Sequence, residues 1–211
     1  MKKVMLLILA VLLSIKAISI LSTGYQTQAQ DVEGDVKYGS VEFVLISIDP
    51  PVVVPKPGET GTTKDKPNLD LILAETREVG GQIQLIIQVK GKIGTEPERE
   101  GALEWYLPPT YCFVIRISKM ESIQEFPETG SLILIFSQDK ATYFNTETKS
   151  SGPAQFEISG DRLTLKLDRT ALGEPAQWVG YASSTQTKLE PGPGSLQLTG
   201  YSDHLVISEF I

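Results

Sequence analysis

From residue 31 onward the chain alternates apolar and polar side chains with a period of two. In residues 82–90, Ile83, Leu85, Ile87 and Val89 take one face and Gln82, Gln84, Gln88 and Lys90 the other, with Ile86 the exception. Successive side chains of a strand point to opposite faces, so this run predicts a strand with one face buried and one in water. Leu163, Leu165 and Leu167 against Thr164, Lys166 and Asp168 predict another. Residues 111–118 and 131–137 are apolar on nearly both faces, as central strands covered on two sides would be. Residues 41–48, 69–75, 155–158, 177–183 and 205–208 bring the set to about nine strands, a number that suits a sandwich. The pattern therefore predicts an all-β fold, a single β-sandwich of jelly-roll or immunoglobulin-like type.

Turn chemistry separates these runs. Gly80-Gly81 and Ser159-Gly160-Asp161 each lie between two predicted strands, where glycine supplies the positive φ of a tight hairpin. One helical turn is predicted over 168–172, with Asp168 as its cap and Gly173 as its stop. Residues 50–67, with five prolines, and 91–109, with four glutamates beside Trp105 and Tyr106, read as long loops. Neither an internal repeat nor a second domain boundary emerges.

The first 30 residues break the pattern. They contain no acid, begin with Lys2 and Lys3, and run apolar from Val4 to Leu13 before Ser14 and Lys16 interrupt. That layout predicts a secretory signal, with Thr27-Gln28-Ala29 as the small-residue cleavage pattern and an uncleaved anchor as the alternative. The expected division is a signal over 1–30 and a sandwich over 31–211. Removing the signal removes three lysines and no acids, so the formal charge of −7 becomes −10. Such a charge, without a basic run, argues against nucleic acid and anionic lipid as partners and leaves the membrane only the N-terminal segment. A single cysteine, Cys112, allows no internal disulfide, and neither Asn68 nor Asn145 stands in a glycosylation triplet. The expectation is a secreted or cell-surface protein of a prokaryotic envelope.

The succession Asp31-Val32-Glu33-Gly34-Asp35, Asn68-Leu69-Asp70-Leu71, Gly80-Gly81-Gln82-Ile83, Tyr111-Cys112-Phe113-Val114-Ile115, Gly160-Asp161-Arg162-Leu163 and Gly180-Tyr181-Ala182-Ser183 covers most of the chain after the signal. In order and spacing it resembles the DOMON-like superfamily of exported β-sandwiches, which includes the family 9 carbohydrate-binding modules. The resemblance implies a sandwich that binds sugars, binds haem or decorates larger surface assemblies.

The residue inventory argues against several chemistries. His204 is the sole histidine, so Ser-His-Asp, Cys-His and zinc sites lack partners, and no spacing among the 26 acids selects a catalytic carboxylate pair. A non-catalytic module is expected. Calcium needs only oxygen ligands, and Asp31, Glu33 and Asp35 alternate around Gly34; the resemblance implies that Asp70 joins them, which makes these four the candidate metal ligands. Trp105, Tyr106, Trp178 and Tyr181 are the candidate aromatic platform for carbohydrate. The resemblance implies haem as the alternative cofactor, held by a Met and a His, for which Met120 and His204 are the candidates after the signal. Binding to an envelope protein is the third reading, through strand pairing by the apolar tail 205–211.

Overall fold

The computed structural model describes residues 26–31, 33–49, 51–55, 61–100, 104–116, 130–172, 180–192 and 195–207. They form an antiparallel β-sandwich. One layer has five strands, in the order β1 (Gln26–Gln30), β6 (Leu71–Val79), β7 (Gln82–Val89), β15 (Arg162–Asp168) and β14 (Gln155–Ser159). The other has eight, in the order β13 (Ser151–Pro153), β12 (Lys140–Asn145), β11 (Ser131–Ser137), β10 (Thr110–Arg116), β16 (Gly180–Gly192), β17 (Ser195–Ile207), β2 (Lys37–Ser40) and β5 (Thr62–Thr63). Two small hairpins, β3 (Phe43–Ile48) with β4 (Pro51–Pro55) and β8 (Glu98–Glu100) with β9 (Glu104–Tyr106), lie outside these sheets.

The period-two pattern is what closes the sandwich. Ile83, Leu85, Ile87 and Val89 of β7 and Leu163, Leu165 and Leu167 of β15 face Tyr111, Phe113 and Ile115 of β10 and Leu132, Leu134 and Phe136 of β11 across one buried core. Strands β10 and β11 are apolar on both faces because a second cluster lies behind them. There Cys112, Val114 and Ile133 pack against Val52 and Val54 of the β3–β4 hairpin. The proline-rich stretch expected to be a loop thus contains a covering strand, since its Val-Val-Val run is itself alternating, with Val52 and Val54 buried and Val53 exposed. Residues 91–109 likewise contain the β8–β9 hairpin.

Several turns form as their residues dictate. Gly80 and Gly81 take φ of 60° and 80° between β6 and β7, and Gly160 takes 66° between β14 and β15. Asp168 Oδ1 accepts the Thr170 N–H at 2.9 Å and caps helix α1 (Arg169–Leu172). The β11–β12 turn is different, because Gln138 and Asp139 occupy the left-handed region, φ 51° and 55°, without a glycine. An L side chain there costs roughly 1 kcal/mol. Asp139→Gly is therefore expected to stabilise the protein by about 0.5–1 kcal/mol, read as a higher urea midpoint at unchanged m-value.

One segment is placed differently from expectation, and the predicted strand at 205–208 forms within a longer one. Residues 26–30, assigned to the signal, form β1 and pair with β6 over five register positions, with Ala29 packed on the core. The sandwich therefore reaches back to Gln26, because this polar stretch completes an edge that β6 would otherwise leave open. Residues 205–207 of the tail are the end of β17, paired to β16, with Leu205 and Ile207 buried in the core and Val206 exposed.

Candidate metal centre

The ends of β1, β2 and β6 meet beside the body of β17 at one edge of the sandwich, and each of the four brings an acid. Pairing of Gln30 with Leu73, and the bond from Asp31 N–H to the Ile72 carbonyl, carry Asp31 to the start of β6. Pairing of Lys37 with Ser202 carries Asp35, two residues before β2, beside Asp203. Carboxylate oxygens of Asp31, Asp35 and Asp203 lie within 4.8 Å of one another. Asp203 is fully buried; its Oδ2 accepts the Leu71 N–H at 2.6 Å and its Oδ1 the His204 N–H at 2.8 Å. Those bonds fix the carboxylate in place between the two sheets.

Asp70 completes the edge. Its side chain is buried, its Oδ2 accepts the Gly34 N–H at 2.8 Å, and its Oδ1 is buried without a hydrogen-bond partner among the described residues. Oδ1 of Asp35 is in the same condition. Burial, opposed by the Gly34 N–H and by Lys90 and reinforced by Asp35 and Glu33, holds the Asp70 carboxyl above its ordinary value. Lys90 Nζ stands 3.9 Å from Asp70 Oδ2 and 3.8 Å from Glu33. Two carboxylates 4.8 Å apart repel by about 3 kcal/mol at an effective dielectric of about 20, and one exposed lysine offsets little of that. Orphaned buried carboxylate oxygens beside clustered acids form an electrostatic hole with the chemistry of a hard cation site.

Of the four expected metal ligands, Asp31 and Asp35 converge, Asp70 flanks them through the Gly34 turn, and Glu33 turns outward, its side chain mostly in solvent. Asp203 was missed. Its signal was there to read, since Tyr201, Asp203, Leu205 and Ile207 alternate onto one face, and an acid in an otherwise buried stripe demands a partner.

The four expected sugar platforms separate by burial. Tyr106 and Tyr181 are 2% and 3% exposed, so neither ring offers a face to a ligand. Tyr181 packs in the second cluster and donates its hydroxyl to the Pro55 carbonyl, pinning the β3–β4 hairpin. Tyr106 lies in a tyrosine cluster 5.4 Å from Tyr201, with Lys66 and Lys188 over its ring at 5.7 and 5.3 Å. Lys66 also pairs with Glu98 at 2.6 Å and Glu100 at 2.5 Å, and the Tyr201 hydroxyl donates to Glu100, which fastens the β8–β9 hairpin to the sheet. Trp105, on that hairpin, is 60% exposed, with the Arg99 guanidinium 5.3 Å from its ring. Trp178 and the candidate haem ligand Met120 lie outside the described residues.

His204, the histidine of the candidate haem pair, lies largely covered within β17. It faces Ser183 across the β16–β17 ladder, near the Tyr181 ring, and burial pushes its pKa down to about 4. Cys112 is fully buried, and burial pushes its thiol up, as expected of a residue that packs rather than reacts.

No protein-family model, no curated protein and no solved structure matches this chain.

Proposed function

We propose that this protein is an exported, non-catalytic binding module of the cell surface whose sandwich is clamped at one edge by a calcium ion. The observation that carries the reading is the convergence of Asp31, Asp35 and Asp203 beside buried, unpartnered oxygens of Asp35 and Asp70. Calcium takes six to eight oxygens at about 2.3–2.6 Å with loose geometry, so carboxylates from four chain segments, backbone carbonyls and water suit it better than a small octahedral ion. Two of those segments belong to each sheet, and the ion would tie the layers together where β1 enters. Calorimetric titration of calcium into chelator-treated protein tests this. One binding event, lost in Asp35→Asn, supports it; no heat and no thermal shift at millimolar calcium overturns it.

Exposure of Trp105 favours carbohydrate as the ligand of such a module. Its ring, held by the Arg99 pair on a fastened hairpin, presents an aromatic surface of the sort that stacks on sugar C–H faces. In a neutral-glycan screen, Trp105→Ala is expected to weaken any hit about tenfold or more, with no change in thermal midpoint. Unchanged affinity for every hit removes this hairpin from the binding surface.

A further inference from the structure

The outer face of the five-stranded sheet carries a depression of about 330 Å³ lined by Arg77, Gln84, Glu157, Ser159, Arg162, Thr164 and Lys166. These residues come from β6, β7, β14 and β15, which are adjacent in the sheet, and the ladder register arranges them in rows. Arg77 pairs with Gln84 and Gln84 with Lys166, so the two cations flank an amide, their Cα atoms about 10 Å apart at the usual strand spacing. In the neighbouring rows Thr164 stands opposite Glu157 and Arg162 opposite Ser159.

Three cations and one acid line this depression on a chain whose formal charge is −7. The arginines and the lysine are not equally engaged. Arg77 Nε donates to Gln84 Oε1 at 2.9 Å with Glu75 at 3.9 Å, and Lys166 pairs with Glu157 at 2.8 Å. The Lys166 pair is solvent-facing, of the kind that exchanges readily, whereas Arg77 reaches a buried Glu75 and is the more firmly held of the two. Arg162 has no side-chain hydrogen bond or ion pair among the described residues, although it is only part-exposed. A half-buried guanidinium with its donor fork unused is arranged for a planar anion.

We infer that this depression binds an acidic glycan, with Arg162 taking a sugar carboxylate and Gln84, Glu157, Ser159 and Thr164 taking ring hydroxyls. The lining decides among the anions. It mixes donors and acceptors without an apolar wall, which suits a ligand whose hydroxyls both donate and accept. An acidic peptide would look instead for a sheet edge or an apolar pocket, and a lipid would need apolar surface. The site is separate from the calcium edge and from Trp105, so it stands or falls apart from both.

The test is calorimetric titration of the calcium-loaded protein with a galacturonate trimer and with its methyl ester, which keeps the hydroxyls and removes the charge. The trimer is expected to bind, the ester at least about tenfold more weakly. Arg162→Ala is expected to weaken the trimer about ten- to hundredfold, the span of a lost charge-assisted hydrogen-bond pair, at unchanged thermal midpoint. Absence of trimer binding, equal affinity for the ester, or an indifferent Arg162→Ala overturns the proposal. Asp35→Asn, which removes the calcium response, is expected to leave trimer binding in place and so keeps the two readings distinguishable.

Discussion

Calcium is expected to raise the thermal midpoint by about 5–10 °C over chelator-treated protein. At a concentration a hundredfold above Kd, a ligand that binds only the folded state adds about 2.7 kcal/mol, and for chains of about 150–250 residues each kcal/mol moves the midpoint by about 2–4 °C. Asp35→Asn and Asp70→Asn should abolish most of that gain. The same variants carry a second signature of opposite sign. In chelator each removes one charge from a set of mutually repelling, buried and half-buried carboxylates, so each should match or exceed the wild-type chain in stability. An ordinary structural role would lose stability in both conditions. The pH dependence follows from Asp70. Its carboxyl is held above the unfolded value, chiefly by burial, so in chelator its contribution favours the folded state at low pH and is lost as pH rises through the folded pKa. Calcium needs the ionised form, so the calcium-induced gain in midpoint should grow over the same rise in pH. A melting series with and without calcium across that range reads both slopes.

Gly200→Ala is expected to cost about 3 kcal/mol, or about 6–12 °C in midpoint. Gly200 sits in β17 between Thr187 of β16 and Gly39 of β2. A Cβ there would lie 2.1 Å from the Gln186 carbonyl oxygen and 2.8 Å from Thr187 Cα. These are backbone atoms of the neighbouring strand, so no rotamer relieves the clash and β17 must move. Three residues further along, that strand carries Asp203, whose carboxylate depends on the Leu71 N–H. Displacing β17 should therefore also weaken calcium, and the variant's smaller calcium-induced shift separates this coupling from a purely local clash. A variant that melts within about 1 °C of the wild-type chain would mean that the two strands separate freely here.

Gly180 is under the same constraint at the other end of the β16–β17 hairpin, where a Cβ would meet the Val114 carbonyl oxygen at 1.9 Å. Neither glycine has a positive φ, and nothing local in the sequence marks either as a point of close approach. The turn glycines 80, 81 and 160 are the reverse case. Their role follows from standing between alternating runs, and their backbone angles agree. Residues such as Val52, Val54 and Ala29 show why other segments were misread. Proline and polar flanks outweigh a three-residue alternation when only neighbours along the chain are considered, whereas in the fold a short strand gains its stability from the surface it covers.

The candidate site divides along the same line. The acids of 31–35 were legible because they crowd together in sequence beside a glycine. The burial of Asp203 was legible in the alternation of its own strand, but its place beside them was not, because it stands more than 160 residues away and joins them only when β17 pairs with β2. The cations of the outer face show the same effect. Arg77, Arg162 and Lys166 make no basic run along the chain, yet strand pairing sets them around one depression on an acidic protein.

What the sequence determined by itself is the class of fold, because the alternation of apolar and polar residues needs nothing beyond the two-residue repeat of a strand. Turn positions followed for the same reason, being set by the backbone freedom of glycine. Which strands neighbour one another, which aromatic rings are sealed in the core and which stand in solvent, and which charges share a site were decided only by the tertiary structure. Those properties depend on pairing between segments far apart in the chain, and a local pattern carries no register between them.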